Sequence, residues 1–390
     1  MNKKIFVLGG DGFCGWPTSL HLSNKGYDIF IIDNLSRRKI DIDLQCDSLT
    51  PISAINDRLT TWKELTGNEI RFIKLDIDKE YYKFKKLCEE YKPIAIIHFA
   101  EQRAAPYSMK SETEKIYTVN NNINATHNLL CALSESKINT HLIHLGTMGV
   151  YGYGMIPGMT IPEGYLKVKC NIKNELEDLE IPFPPNPGSV YHLTKTMDAL
   201  MFNFYAKNDN LRITDLHQGI VWGTSTKETD IDEKLINRFD YDSDYGTVLN
   251  RFLMQAALDY PLTVYGSGQQ TRSFININNT VECLNLALES PLNNKRDKVR
   301  ILNQATESHT VIDLANKISQ ITGCKIEKIK NPRNEASANE LNFINESFKE
   351  LGLRTILLKD TLMNEIFDIA KKYIHRVDKS KIKPSSFWNR

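Results

Sequence analysis

The sequence predicts an α/β fold, a doubly wound parallel sheet with a smaller mixed α/β substrate-binding domain. Three observations predict it. Short buried-strand patterns alternate with helical patterns through the first 220 residues. A glycine-rich turn, GGDGFCG, joins the first strand to the first helix. After residue 220 the alternation loosens, which marks a second lobe. The expected domains are therefore 1–220, with an insertion at 36–70 and later return segments near 260–290, and 221–390.

Each element has its own signal. KKIFVLGG is a strand ending in glycines, a helical pattern runs from Gly12 to about Lys25, and YDIFIIDN is the second strand. RFIKLDI, PIAIIHFA and THLIHLGTMG continue the buried strands, with helices at 112–136 and 189–207 and a strand at LRITDLHQG. Residues 36–70 exceed an ordinary strand–helix connection and read as a functional segment or as an extra helix and loop. The stretch 155–190 reads as a surface excursion or a small hairpin. Beyond it, strands LTVYG and FININ are interleaved with helices near 248–259, 278–289 and 310–322. The basic tail KKYIHRVDKSKIKPSSFW reads as a solvated end.

Composition excludes several classes. Lys and Arg number 49 against 48 Asp and Glu, so neither nucleic acid nor an anionic membrane is the expected partner. Seven cysteines are scattered without a CxxC pair, which argues against a metal site or a disulfide framework and for a reducing cytoplasm. No apolar run approaches the roughly 18 residues of a membrane span. MNKKIFVLGG enters a strand at once, so no leader is expected.

Gly9, Gly12 and Gly15 stand at three-residue spacing between strand and helix. One glycine makes the turn, one lets backbone approach a pyrophosphate, and one allows close helix–sheet contact. The helix start offers free N–H groups to the phosphates. Asp33 ends the next strand 18 residues beyond Gly15, where it accepts both ribose hydroxyls and repels a 2′-phosphate. NAD is the expected cofactor, although Arg37 and Arg38 would suit a 2′-phosphate. Asp76 reads equally as a partner for the adenine amine or as a helix cap. Asp11, Phe13, Cys14, Asn34, Ile77, Phe99, Ala100 and Asn120 complete the expected cofactor contacts, with Cys14 a small packing residue and not a redox switch.

YHLTK places Tyr191 and Lys195 four apart, on one helix face. The ammonium stabilises the phenolate, so Tyr191 becomes a base able to take a hydroxyl proton. With Thr147 one strand earlier, these residues resemble the Thr/Tyr/Lys triad of the short-chain dehydrogenase/reductase superfamily, in its extended sugar-nucleotide branch. That likeness implies oxidation at a sugar C4 hydroxyl. The branch's 4,6-dehydratases carry Asp-Glu after the threonine; here Met148 and Gly149 follow it.

Longer stretches are similar to the UDP-sulfoquinovose synthase family: SLTPISAINDR, FAEQRAAPYSM, LGTMGVYG, YHLTK, DYDSDYGTVLNRF, LTVYGSGQQTRSF, NPRNEA and KIKPSSFW. HFAEQ stands where the family usually has HFGEQ, and GVYG where it has GEYG. The resemblance implies NAD as cofactor, UDP-glucose and sulfite as substrates, and a homodimer through helices 112–136 and 189–207. It further implies C4 oxidation, loss of water across C5 and C6, sulfite addition at C6 and return of the hydride. Two carboxylates beside C6 would each repel sulfite by about 1 kcal/mol in water, or about 4 at an effective dielectric of 20. Met148 and Gly149 remove that repulsion.

The carried-over roles are these. Tyr191 takes the C4 and C5 protons, and His192 is the acid at C6 or a sulfite ligand. Gln102 and Arg103 contact the anion; Glu101 is either the missing base or the partner of Arg103. Arg272, Arg333 and Asn250 hold the diphosphate or ribose, Thr263, Val264 and Tyr265 offer backbone to uracil, and Gln270 and Glu335 complete the substrate wall. Gln218 approaches nicotinamide and sugar. A UDP-hexose 4-epimerase is the competing enzyme reading, and a nonenzymatic NAD-binding sensor the competing class.

Overall fold

A computed structural model describes residues 3–152, 158–290, 297–359 and 362–388. Seven parallel strands form the central sheet: β1 (Lys4–Leu8), β2 (Asp28–Asp33), β3 (Ile70–Lys74), β4 (Ala95–His98), β5 (His141–Leu145), β9 (Arg212–Gln218) and β13 (Arg300–Gln304). Their order is β13-β9-β5-β4-β1-β2-β3. Both faces are covered, so these strands read as continuous apolar runs. On one face α1 (Gly15–Asn24) and α8 (Ile277–Glu289) pack together over Val7, Ile31 and Ile143. On the other, α4 (Tyr81–Tyr91), α5 (Glu112–Ser136) and α6 (Val190–Asp209) cover Phe6, Phe30, Leu142 and Ile213.

The insertion is α2 (Ser36–Leu44) and α3 (Ile55–Thr66). Its SLTPI stretch is stitched to the second lobe: Leu49 N–H donates to Phe239 O at 2.9 Å, and Thr50 Oγ1 to Asn237 O at 2.6 Å. The expected excursion holds β6 (Thr160–Ile161) and a hairpin of β7 (Leu166–Ile172) with β8 (Glu175–Ile181); residues 155–157 of that excursion lie outside the described ones. The return to the sheet is made by 277–304, later than the expected 260–290, because β11 (Leu262–Tyr265) pairs with β15 (Ile326–Ile329) instead.

The second lobe is built of small sheets. β10 (Ile220–Trp222), β12 (Thr271–Asn276) and β14 (Glu307–Thr310) form one, and β16 (Asn342–Phe343) pairs with β6. Around them lie α7 (Val248–Ala257), α9 (Val311–Thr322), α10 (Glu346–Glu350) and α11 (Leu362–Lys372). Its core gathers Trp222, Phe239, Phe252, Leu262 and Phe274. The basic tail is not simply solvated. Tyr373 and Ile382 enter this core, Ser243 N–H donates to Lys381 O at 3.0 Å, and Asp378 N–H to Tyr241 Oη at 2.8 Å.

Candidate active site

The C-terminal ends of the central strands open into one pocket between the lobes. Its cofactor side starts at the glycine loop. A Cβ on Gly15 would stand 2.2 Å from Gly9 O, so only glycine lets α1 start there. The first turn of α1 has no acidic residue and no side-chain cap, leaving its positive end for an anion. Asp33 accepts from Asp11 N–H at 3.0 Å and Leu35 N–H at 2.7 Å; burial, then Asp11, push its carboxyl up to about 6.

Both nearby arginines are committed to acids. Arg38 grips Asp11 at 2.6 and 2.9 Å. Arg37 bonds Asp41 at 2.5 Å and Asp240 at 3.0 Å and lies over the Tyr245 ring. That arrangement suits NAD, with Asp33 at the ribose position, and not a 2′-phosphate. Asn34, Asp76, Ile77, Phe99, Ala100, Phe13 and Cys14 line the same pocket. Asp76 accepts from Lys79 at 3.1 Å and caps no helix. Asn120 does not reach the pocket: it is exposed on α5, and its neighbour Asn121 takes the lining position.

Thr147, Met148, Gly149, Tyr191, His192, Lys195 and Gln218 meet at the centre. β5 ends at Leu145, and Thr147 caps the short 3-10 turn 148–151, its Oγ1 accepting from Gly149 N–H at 3.0 Å. Ser189 caps α6 by accepting from His192 N–H at 3.2 Å, while Tyr191 N–H donates to Ser108 Oγ at 3.0 Å. A Cβ on Gly149 would lie 2.4 Å from His192 Nε2, so the glycine makes room for that imidazole. The expected acid role of His192 does not fit. Burial, then Arg333 and Arg272, push its pKa down to about 3, so it is a neutral ring at pH 7.

Lys195 is held from behind. Nζ lies 2.9 Å from Glu101 Oε2 and 2.9 Å from His144 Nε2, and donates to Leu145 O at 2.8 Å. His144 continues to Asp215 at 2.8 Å, and Asp215 to His217 at 3.0 Å. Burial and Lys195 oppose the His144 imidazolium, but Asp215 and Glu101 outweigh them and raise it to about 9. Burial would raise Glu101, yet Lys195 and His144 hold it well below the usual carboxylate range. Glu101 is therefore neither free base nor partner of Arg103, which pairs with Asp240 at 2.5 Å.

On the substrate side Arg103, Tyr265, Gln270, Arg272, Arg333 and Glu335 line the pocket. Arg272 pairs with Glu335. Gln102 lines it too, but its amide bonds Ala104 N–H at 2.5 Å and Ala104 O at 3.0 Å, fixing its own loop. Three expected contacts fall elsewhere. Asn250 is buried against Gly223 N–H at 3.0 Å, Thr263 is bonded to Gln255 at 2.8 Å, and Val264 is a core residue. Sequence reasoning missed Tyr245 and Arg251, which line the pocket; both lie within the quoted stretch DYDSDYGTVLNRF.

Comparison with known proteins extends this geometry. Residues 5–303 match the model of the NAD dependent epimerase/dehydratase family. The chain is 43% identical to the chloroplastic UDP-sulfoquinovose synthase of Spinacia oleracea, over 100% of this chain and 80% of that protein. It is 39% identical to the UDP-sulfoquinovose synthase of Sulfolobus acidocaldarius, over 90% and 88%. Among solved structures it resembles the UDP-glucose 4-epimerase of Thermotoga maritima with UDP-glucose. The TM-score is 0.70 at 20% identity, covering 95% of this chain and 99% of that one, a likeness of fold.

Proposed function

The chain belongs to the NAD-dependent epimerase/dehydratase family and, within it, to the UDP-sulfoquinovose synthases, and on that premise we propose that it converts UDP-glucose and sulfite to UDP-6-sulfo-6-deoxyglucose. The observation that carries the reading at the residue level is the Thr147-Met148-Gly149 turn with the His192 ring beside it. The triad is kept, and the space beside the sugar's C6 holds a neutral ring in place of two carboxylates.

The Gly9–Gly15 loop and Asp33 would hold NAD, which would supply a reversible hydride acceptor for C4. Thr147 bonds the C4 oxygen, and Tyr191, stabilised as phenolate by Lys195, removes its proton. The resulting ketone acidifies C5; Tyr191 passes the C4 proton to the C6 hydroxyl, which leaves as water, and the phenolate so regenerated takes the C5 proton. Sulfite adds to the enone at C6, drawn by Arg103 and hydrogen-bonded by neutral His192. Arg272 and Arg333 hold the diphosphate with fork-shaped donors.

Two further statements rest on this structure. α5 and α6 present exposed Ile116, Leu193, Met197, Leu200 and Phe204, an apolar face suited to a second copy and hence to a homodimer. The seven cysteines are free thiols, which supports a reducing compartment such as the cytoplasm; no helix among the described residues is long and apolar enough to cross a membrane.

Mass spectrometry of purified protein with UDP-glucose, with and without sulfite, tests the reading. The expected product is a sulfite-dependent UDP-sugar heavier by sulfite less water, and Tyr191→Phe should abolish it. UDP-galactose formed equally in both reactions would overturn the synthase reading in favour of the epimerase.

A further inference from the structure

Three protein groups surround the Lys195 ammonium within 2.9 Å: the Glu101 carboxylate, the His144 ring and Leu145 O. Glu101 comes from the loop after β4, so the partner is non-local and its geometry is set by the sheet. Its side chain is 2% exposed and that of Lys195 4%. At such burial an ion pair is little screened. A carboxylate, an imidazole and the nearby Asp198 carboxyl gather here within reach of one cation. Lys195 Nζ, 2.9 Å from both Glu101 and His144, already fills the cation's place.

The charges around this pair come from every packed element. β4 contributes His98, whose Nε2 lies 3.4 Å from Glu101, and β5 contributes His144. β9 contributes Asp215, which neutralises His144 from the far side. α6 itself contributes Tyr191, His192 and Asp198; burial, then Glu101, push the Asp198 carboxyl well above the usual carboxylate range. Glu101 is thus the anion beside Lys195, and Tyr191, one turn earlier on α6 and lining the same pocket, would as a phenolate be a second anion drawing on the same charge.

We propose that Glu101 is a positioning residue for the catalytic lysine: its carboxylate holds Lys195 in place and competes with the Tyr191 phenolate for the ammonium, thereby setting the pH at which the base is ready. The proposal rests on Tyr191 being the base. It does not depend on sulfite. Removing the Glu101 charge leaves Lys195 short of an anion, and the phenolate becomes its counter-ion. Tyr191 then ionises at lower pH, so the variant becomes competent under more acidic conditions while losing an ion pair.

The test is the pH profile of cofactor reduction when purified holoprotein meets UDP-glucose without sulfite, read by near-ultraviolet absorbance. In Glu101→Gln the acidic limb should move down by about one pH unit, and Glu101→Asp, whose shorter arm retreats from Nζ, should lie between. Ultraviolet titration of the free protein, taken as the difference from the matching Tyr191→Phe variant, should show the same downward move of one tyrosine. If Glu101→Gln does not fold, Glu101→Asp carries both measurements. An unmoved or upward-moved limb, with only a lower rate, would overturn the proposal and leave Glu101 a structural residue. If Tyr191→Phe itself still reduces cofactor, the assignment of the base fails, an outcome distinct from the failure of Glu101.

Discussion

Gly149 and His192 occupy one space between them. Adding a single methyl at 149 places carbon 2.3 Å from the ring, so the imidazole must leave its position beside Thr147. Overpacking of this kind costs about 1–3 kcal/mol in a filled site. Gly149→Ala should lower kcat at least about tenfold, equivalent to roughly 1.4 kcal/mol, while cofactor content, read by absorbance after denaturation, stays at the native level. The residue scale also shows where sequence stops being informative. Thr147, Tyr191 and Lys195 were legible because their spacing is fixed by a strand end and a helix face. Asn120 was not, because NNNIN gives no sign of which amide faces inward, and one residue turns a helix by about 100°. Glu101 was open between two roles because its true partner lies 94 positions away, on another element.

At the scale of elements, the strands of the central sheet and the helices at 112–136 and 189–207 were readable from apolar runs and helical patterns. In the second lobe the helices near 248–259 and 310–322 and the strands LTVYG and FININ were readable too, but the sheet pairing was not. β10, β12 and β14 join residues from three separated stretches, and no local pattern announces that pairing. The placement of Tyr245 and Arg251 depends on how α7 and its preceding loop settle on this lobe. The insertion gained meaning only from contacts: buried Arg58 on α3 stacks on Trp16, bonds Asp11 at 2.9 Å and reaches Ile236 O at 3.2 Å, tying the glycine loop to the other lobe. Helix α6 leads to a separate expectation. Its inner face carries the triad, and its outer face exposes Leu200 and Phe204. If two copies pair through this face as proposed, Leu200→Glu sets like charges across the contact, and light scattering after size exclusion should show the native chain as dimer and the variant as monomer; a native monomer would overturn the dimer proposal.

For the whole molecule, buried histidines set the pH dependence of stability. Burial lowers His98, His141 and His192 to about 3 each. Their unfolded value is near 6.5, so below it the unfolded chain binds more protons, and stability falls by about 1.4 kcal/mol per pH unit for each ring. His144, raised to about 9, acts oppositely: its contribution is complete below about 6.5 and is lost as pH rises through 9. Denaturant midpoints should therefore peak near neutrality and fall more steeply on the acid side; a flat profile from about pH 5 to 9 would contradict these assignments. The strand β13 bears on synthesis. It pairs with β9 from Arg300↔Thr214 to Gln304↔Gln218, only after the chain has made the first part of the other lobe. While the ribosome works from residue 220 to 300, β9 waits with one hydrogen-bonding edge bare. Such an edge is a template for any passing strand. The nascent chain thus has a window of vulnerability some 80 codons long, estimated from the ordinary rate of about 5–20 residues per second as several seconds, and a fragment ending near 220 would carry that open edge permanently.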